Sequence, residues 1–299
     1  MSDDAHDSER MGRAFRAAGM AFRERLRRAS PEDDAELKRI EPAEVVVVRG
    51  EYDRIASVLG ATSVAHLAVH PHQLARCDWD RMQVLMIDCP GRLPAAALER
   101  IGPWVRGGGY LVTTDWALKH VLEPVFPGRV RHNGRATGDS VVRIQGEPAA
   151  SGDPLLAGIL EPGREPLWWI EEASYPIEVL DAARVRVLAS SREVEERWGS
   201  GAIAVTFDEG AGTVLHLLSH LYLQRSEVRT ERDAQPAALF LRDDVGLADP
   251  FGDALAREAG DLARSEIEGA YGTASLAGGV ILESRRRSRR GKKGGDDER

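Results

Sequence analysis

A run of four valines, Val45–Val48, constrains the fold more than any other stretch of the sequence. β-Branched side chains favour extended backbone, and an apolar run without alternation indicates a strand buried on both faces, as in a parallel sheet. Comparable runs occur at Val84–Asp88 and Tyr110–Thr113, with helix-like segments at Asp53–Leu59 and Leu93–Val105. Further strands are predicted at Ala65–Val69, Val185–Ala189, Ala202–Phe207 and Thr213–Leu218.

This alternation predicts an α/β fold of the flavodoxin-like three-layer α/β/α type, with a mostly parallel sheet and helical N- and C-terminal extensions. We place the α/β domain at residues 43–228, between a charged helical N-terminal extension at 1–42 and a helical C-terminal extension at 229–280. Residues 281–299 are expected to form a disordered basic tail, because seven of the nine residues from Arg285 to Lys293 are basic. The N-terminal helix should pack on the domain or on a partner through an apolar face of Met11, Phe15, Ala18, Phe22 and Leu26.

Composition disfavours several classes of protein. The 299 residues carry a formal net charge of −8, which makes nucleic-acid binding unexpected apart from the basic tail. Only two cysteines occur, too few for a disulfide framework, so we expect a cytoplasmic location. We expect neither a membrane span nor a signal peptide, because no apolar stretch is long enough for either.

Three motifs occur in a characteristic order. The strand at Gln83–Asp88 is followed by a helix and by Gly107–Tyr110, and Asp153–Ile159 reads Asp-Pro-Leu-Leu-Ala-Gly-Ile. The third motif, Gly210–His220, begins with Gly-Ala-Gly and ends in histidine. In this order they resemble the class I glutamine amidotransferase-like superfamily, and particularly its ThuA-like (trehalose-utilisation) branch. The resemblance covers residues 44–225 and implies the same flavodoxin-like fold.

The corner after the fourth predicted strand departs from that family's pattern. The resemblance implies a cysteine in a G-x-C-x-G elbow there, but Thr114 and Asp115 occupy the position, ahead of a predicted helix at Trp116–Leu122. Neither residue can act as a thiolate nucleophile, and Cys89 lies one strand too early. We therefore expect glutaminase activity to be absent.

Polar side chains are expected to gather at the carboxyl ends of the strands, where parallel sheets bind ligands. Asp115 and His220 are the candidate catalytic residues, with Glu171 as a possible third. Trp116 would give a polar, sugar-like molecule an aromatic surface to stack on. The full set of candidate ligand-binding residues is Arg49, Tyr52, Cys89, Arg92, Asp115, Trp116, His220 and Gln224.

Two functions remain open from the sequence. One is a non-catalytic domain that binds a polar small molecule or a protein partner at this edge, with the terminal extensions as docking segments. The other is a hydrolase or carbohydrate-active enzyme that uses Asp115 and His220, which requires the two side chains to converge within direct or single-water reach. A thiol mechanism with Cys89 and His220 is a further alternative.

No cofactor and no metal are expected. The histidines His66, His70 and His72 would share one face of a continuous strand, but Pro71 interrupts that geometry. Trp168 and Trp169 could line the cleft, pack in the core or contact a protein.

Overall fold

A mixed sheet forms the centre of the protein. The structure is a computed structural model that describes residues 2–157, 159–160, 165–221, 225–247 and 252–296. Its parallel strands are β1 Val45–Val48, β2 Leu67–Val69, β3 Val84–Ile87, β4 Tyr110–Thr114 and β12 Gly212–Leu217. The remaining strands are β5 Val130–His132, β6 Ser140–Arg143, β7 Gln145–Gly146, β8 Leu167–Ile170, β9 Ile177–Val179, β10 Arg186–Ser190 and β11 Ala202–Glu209.

The strand order is β2–β1–β3–β4–β12–β11–β10–β7, in which the first five strands are parallel and the last three continue the sheet antiparallel. β9 pairs with β11 and β5 with β9, whereas β6 and β8 form a separate two-stranded sheet. In the parallel part the register aligns Val46, Leu85, Leu111 and Val214 across four strands. All four side chains are buried, which explains why these strands are continuously apolar in sequence.

Helices flank the sheet on both faces, so the predicted three-layer α/β/α fold with a mostly parallel central sheet is confirmed. The helices are α1 Ser2–Ala29, α2 Pro31–Lys38, α3 Ile55–Ala61, α4 Ala95–Arg106, α5 Glu123–Val125, α6 Arg192–Trp198, α7 Ala237–Asp243, α8 Asp253–Ala259 and α9 Arg264–Asp296. One contiguous apolar core joins residues of the terminal helices to those of the sheet, for example Phe15, Val47, Leu215 and Tyr271. The terminal extensions therefore share the core of the α/β body.

The long N-terminal helix packs along α9. Phe15, Ala18 and Phe22 are buried on its apolar face, and Met11 and Leu26 are half-buried against the same core. Glycines permit the close approach: a Cβ atom at Gly278 of α9 would lie 2.4 Å from the Phe22 ring. Ion pairs flank the contact, including Arg10 with Glu266 at 2.8 Å and Arg16 with Glu258 at 3.0 Å.

The C-terminal basic segment differs from the sequence expectation, because α9 continues through Asp296 where a disordered tail was expected from residue 281. Ile281 and Leu282 are buried, which anchors the helix on the core. The arginines that follow pair with carboxylates of the body: Arg285 with Glu44 at 2.7 Å, Arg286 with Asp33 and Arg287 with Asp208 at 2.8 Å each, and Arg289 with Glu36. These ion pairs neutralise the positive charge that would keep an isolated basic tail in solvent. Residues 297–299 lie outside the described residues.

Two helices near the carboxyl edge begin later than the sequence predicts. Asp115 and Trp116 form a turn, and a π-helical turn at Leu118–Leu122 leads into α5. α3 begins at Ile55 because Asp53 accepts hydrogen bonds from the Arg54 and Leu221 amides, which holds it outside the helix. Both differences leave a residue, Trp116 or Asp53, outside the helix that was predicted to contain it.

Across the part of the chain that the structure covers, no helix is long and apolar enough to cross a bilayer.

Candidate active site

Asp115 forms the corner between β4 and the turn that follows. Its φ is +41°, a left-handed conformation that costs a non-glycine residue on the order of 1 kcal/mol or more. The corner is held by the Asp115 amide, which donates to Leu217 O at 2.8 Å, and by the Leu118 amide, which donates to Asp115 O at 2.9 Å. Such strained strand-to-helix turns present nucleophiles in α/β enzymes. The backbone here therefore resembles such a turn, with a carboxylate at the corner.

His220, just beyond β12, lies between two carboxylates. Its Nε2 is 3.4 Å from Asp115 Oδ2, and its Nδ1 is 2.6 Å from Glu171 Oε2. The side chains of Asp115 and His220 are each 3 % exposed, whereas that of Glu171 is 23 % exposed. Asp115 and His220 thus converge within direct reach. The order carboxylate, imidazole, carboxylate matches the nucleophile, base and orienting acid of a catalytic triad.

The loop after β8, residues 171–175, closes over this corner. Besides Glu171, it supplies the Tyr175 amide, which donates to Asp115 Oδ1 at 2.8 Å, and the Ser174 hydroxyl, which donates to Asp115 Oδ2 at 3.2 Å. Trp116 Nε1 donates to Ala173 O at 2.7 Å, which fastens the loop to the corner. One loop therefore positions both carboxylates around His220.

Burial by itself would lower the pKa of His220, but its hydrogen bonds with Asp115, Cys89 and Glu171 outweigh that effect and raise its pKa above the usual range. The surrounding hydrogen-bond acceptors thus favour the protonated form of the imidazole. A protonated histidine between carboxylates can donate a proton to a leaving group.

Cys89 is fully buried at the end of β3, and its thiol donates to Asp115 Oδ2 at 3.7 Å. Burial raises the pKa of this thiol to about 11, so the thiolate is disfavoured at neutral pH. The ligand atoms of Cys89, Asp115 and His220 lie within 4.8 Å of one another, and these three residues could hold a metal ion. His66, His70 and His72 are not brought together as a ligand set: His66 contacts Val64 O, and the rings of His70 and His72 stack 5.8 Å apart.

Two buried aspartates next to this centre were not predicted from the sequence. Asp53 accepts from the Leu221 amide at 3.1 Å, beside His220, and Asp88 accepts from the Ile55 amide at 3.3 Å. Burial raises the pKa of Asp53, and burial together with the neighbouring Asp53 raises that of Asp88 well above its usual range. An aspartate directly after an apolar strand was the available signal at Asp88, but its role as a partner for backbone amides depends on tertiary structure.

Aromatic rings surround the centre on its outer side. Tyr52 stacks on His220 with ring centroids 6.5 Å apart and meets Trp116 edge-on at 5.5 Å. Tyr175 stacks between Trp116 at 5.5 Å and His132 at 4.0 Å. Such flat faces suit the apolar faces of a sugar-like molecule.

The predicted residues separate into groups. Cys89, Asp115 and His220 are in contact, and Tyr52 and Trp116 pack beside them. Arg49 and Arg92 instead line a neighbouring cavity between the ends of β1 and β3. Gln224 lies outside the described residues. Trp168 is buried beside Ile144 and Phe240, and Trp169 donates to Asp139, so neither lies at the centre.

Comparisons with known proteins give structural similarity only. No protein-family profile matches the chain. No curated protein matches it either. Among solved structures, a protein described as a GMP synthase subunit from Thermoplasma acidophilum is 10 % identical, with 82 % of this chain and 96 % of that one aligned and a TM-score of 0.47. A protein described as ThuA-like from Bacteroides uniformis is 12 % identical, with 60 % and 82 % aligned and a TM-score of 0.42.

A β-galactosidase from Rahnella sp. R3 is also similar, at 15 % identity and a TM-score of 0.42, over 73 % of this chain. The chain spans a third or less of the length of the β-galactosidases and the mannosidase that it matches. At these identities and scores, the neighbours assign neither a family nor an activity to the chain.

Proposed function

We propose that the protein is a hydrolase for a polar small molecule, with Asp115, His220 and Glu171 as its catalytic residues. One observation carries the proposal: Asp115 and His220, which are 105 positions apart in sequence, meet at 3.4 Å beside a strained corner. Glu171 holds the opposite nitrogen of the imidazole. Internal packing alone gives little reason to bury an imidazole between two carboxylates, because each buried charge is costly.

The chemistry follows from these positions. Asp115 Oδ2 attacks a saturated carbon that bears an oxygen leaving group, such as the anomeric carbon of a glycoside, and forms an ester as the carbon–oxygen bond breaks. Protonated His220 gives its Nε2 proton to the departing oxygen. The neutral imidazole then takes a proton from a water molecule that attacks the same carbon and breaks its bond to the ester oxygen, which releases the hydroxyl product, restores the Asp115 carboxylate and returns His220 to its protonated form. Glu171 orients the ring and stabilises its charged form.

Asp115 is the proposed nucleophile in preference to Cys89. The carboxylate stands at the corner with the unusual φ, whereas the buried thiol donates its proton toward that carboxylate. Replacing Cys89 by alanine should therefore leave hydrolysis within about tenfold of the wild-type rate, and ammonia should not be released from glutamine. Loss of turnover in Cys89→Ala but not in Asp115→Asn would reverse this assignment.

The test is turnover of 4-nitrophenyl glycosides by the full chain. Asp115→Asn and His220→Gln should each reduce turnover by 10²–10⁴-fold, on the order expected for a nucleophile or a general acid–base group. Cys77→Ala, a half-buried cysteine away from the centre, is the matched control and should not change the rate. Thermal unfolding checks that the variants are folded. Unchanged turnover in Asp115→Asn would exclude Asp115 as the nucleophile, and no turnover of any substrate by the wild type would leave binding without catalysis as the function.

A metal-dependent hydrolase is the second candidate, because the Asp115–His220 and Cys89–Asp115 distances of 3.4 and 3.7 Å are close to the edges of a tetrahedral zinc site. Three protein ligands would leave a position for water, and Glu171 on the second imidazole nitrogen is a usual outer partner. Metal analysis of the purified protein distinguishes the metal-dependent hydrolase from the metal-free one. If the hydrolase is metal-dependent, zinc should co-purify at one equivalent, and Cys89→Ala should lose both the zinc and the activity.

We also propose that the chain is a glutamine amidotransferase-like domain of the ThuA-like type without the elbow cysteine. The strand order, the corner at Asp115 and the position of His220 after β12 support this.

A further inference from the structure

The cavity lined by Arg49 and Arg92, of about 230 Å³, lies between the carboxyl ends of β1 and β3. The chain goes from β1 outward to β2 on one side and returns to β3 on the other, so the strand order reverses at this point. Open parallel sheets bind ligands at such a reversal, because the connections diverge there and leave a crevice. No residue of this cavity takes part in the hydrolysis proposed above.

Three different strand ends supply nitrogen-bearing side chains to its walls: Arg49 follows β1, His70 follows β2 and Arg92 follows β3. The side chains of Arg49 and Arg92 make no hydrogen bond or ion pair with any other residue that the structure describes. Their guanidinium groups are thus available to a ligand. The acidic side chains of the wall are Glu51, which is exposed, and Asp88, which is buried and accepts backbone amides.

The walls are held in place by backbone contacts. The Glu51 amide donates to Cys89 O at 2.9 Å, and the Arg49 amide donates to Val69 O at 2.9 Å. Gly50 permits this approach, since a Cβ atom there would lie 2.0 Å from Cys89 O. Gly91 has a φ of +73°, and a Cβ atom there would lie 2.6 Å from that of Ala117. The arginines therefore project from a rigid base.

From these observations we infer that this cavity binds an anionic group, a carboxylate or a phosphate, through Arg49 and Arg92. Arginine matches both anions because its planar donors can bind two oxygens at once. Cys89 lies between this cavity, bounded by Asp88 and Pro90, and the centre that its thiol contacts. If the proposed hydrolase activity holds, on which this step rests, its substrate carries a negative charge next to the scissile bond.

The experiment measures binding of inorganic phosphate and of acetate to the full chain by calorimetry, at constant ionic strength. At least one anion should bind to the wild type. Affinity should fall at least tenfold in the Arg49→Gln/Arg92→Gln double variant. Arg76→Gln, which removes an exposed arginine from the adjacent turn outside the cavity, should bind like the wild type. Binding of phosphate identifies a phosphorylated ligand, and binding of acetate alone identifies a carboxylate. No binding of either anion, or equal binding in the double variant, overturns the inference.

A second measurement separates this inference from the proposed function. The double variant should raise KM for 4-nitrophenyl glucuronide at least tenfold, with little effect on the uncharged 4-nitrophenyl glucoside. If anion binding depends on the arginines but no substrate is hydrolysed, the anion-site inference is supported and the hydrolase proposal fails. If hydrolysis depends on Asp115 while the double variant binds anions normally, the hydrolase proposal stands and the cavity assignment fails.

Discussion

His216 illustrates how a single buried residue sets the pH dependence of stability. It has no exposed surface, and its Nδ1 lies 2.8 Å from Thr113 Oγ1. Burial lowers its pKa from 6.5 to about 3. Between these values the unfolded chain binds a proton that the folded protein does not, so this residue's contribution to stability is retained above pH 6.5 and falls as the pH falls toward 3.

Replacing His216 by glutamine should remove this slope. The free energy of unfolding of the wild type should fall relative to that of His216→Gln by up to about 1.4 kcal/mol per pH unit between about pH 6 and 4. His220, Asp53 and Asp88 have raised pKa values and act in the opposite direction, but they are present in both proteins and cancel in the difference. Urea unfolding of both proteins at several pH values measures this difference in the free energy of unfolding. Parallel pH curves for the two proteins would contradict the prediction.

The residues of the site differ in how far the sequence reveals them. Asp115 and His220 follow apolar strands, and parallel topology places such residues at one edge. Ser174 and Tyr175 lie in a loop without periodicity, and their contacts with Asp115 depend on how residues some 60 positions apart meet in space. Sequence patterns describe local conformation, so they can indicate the corner but not the loop that covers it.

At the scale of elements, the α1–α9 contact depends on glycine. Gly278→Ala should destabilise the protein by about 1–3 kcal/mol, because the added methyl group overlaps the Phe22 ring in a packed interface. Gly60→Ala is the matched control, since its Cβ atom would meet nothing within 4 Å and alanine favours helix. In a Phe22→Ala background, Gly278→Ala should instead be neutral or stabilising. Chemical denaturation measures all four variants, and equal losses at Gly60 and Gly278 would refute the packing argument.

The central strands could be predicted because continuous apolar runs require burial on both faces, and the observed bounds differ from the predicted ones by one or two residues. The C-terminal part of α9 could not be predicted from the sequence. A run of arginines is typical of a solvated tail unless acidic partners lie within reach, and those partners come from α2, from Glu44 and from β11, far away in sequence.

At the scale of the whole molecule, the basic end of α9 neutralises an acidic surface. Because its ion pairs are only partly buried, each is worth about 0–1 kcal/mol and weakens with salt. Replacing Arg285, Arg286 and Arg287 by glutamine should lower the free energy of unfolding by about 1–2 kcal/mol at low ionic strength, and less in about 0.5 M salt. The control triple variant replaces Arg76, Arg192 and Arg257, which form no ion pair with another described residue. Urea unfolding of both variants at two salt concentrations provides the comparison, and a loss that does not depend on salt would count against the role of these ion pairs.

The loop at residues 171–175 has a consequence for motion. It covers Asp115 and supplies two of its hydrogen bonds as well as Glu171, while the sheet beneath is held by its own core. Local opening of this loop would admit solvent to the carboxylate and at the same moment separate Glu171 from His220, without unfolding β4 or β12. In the proposed hydrolase, opening the loop would admit a ligand but separate the catalytic residues, so the ligand would react only after the loop has closed again over it.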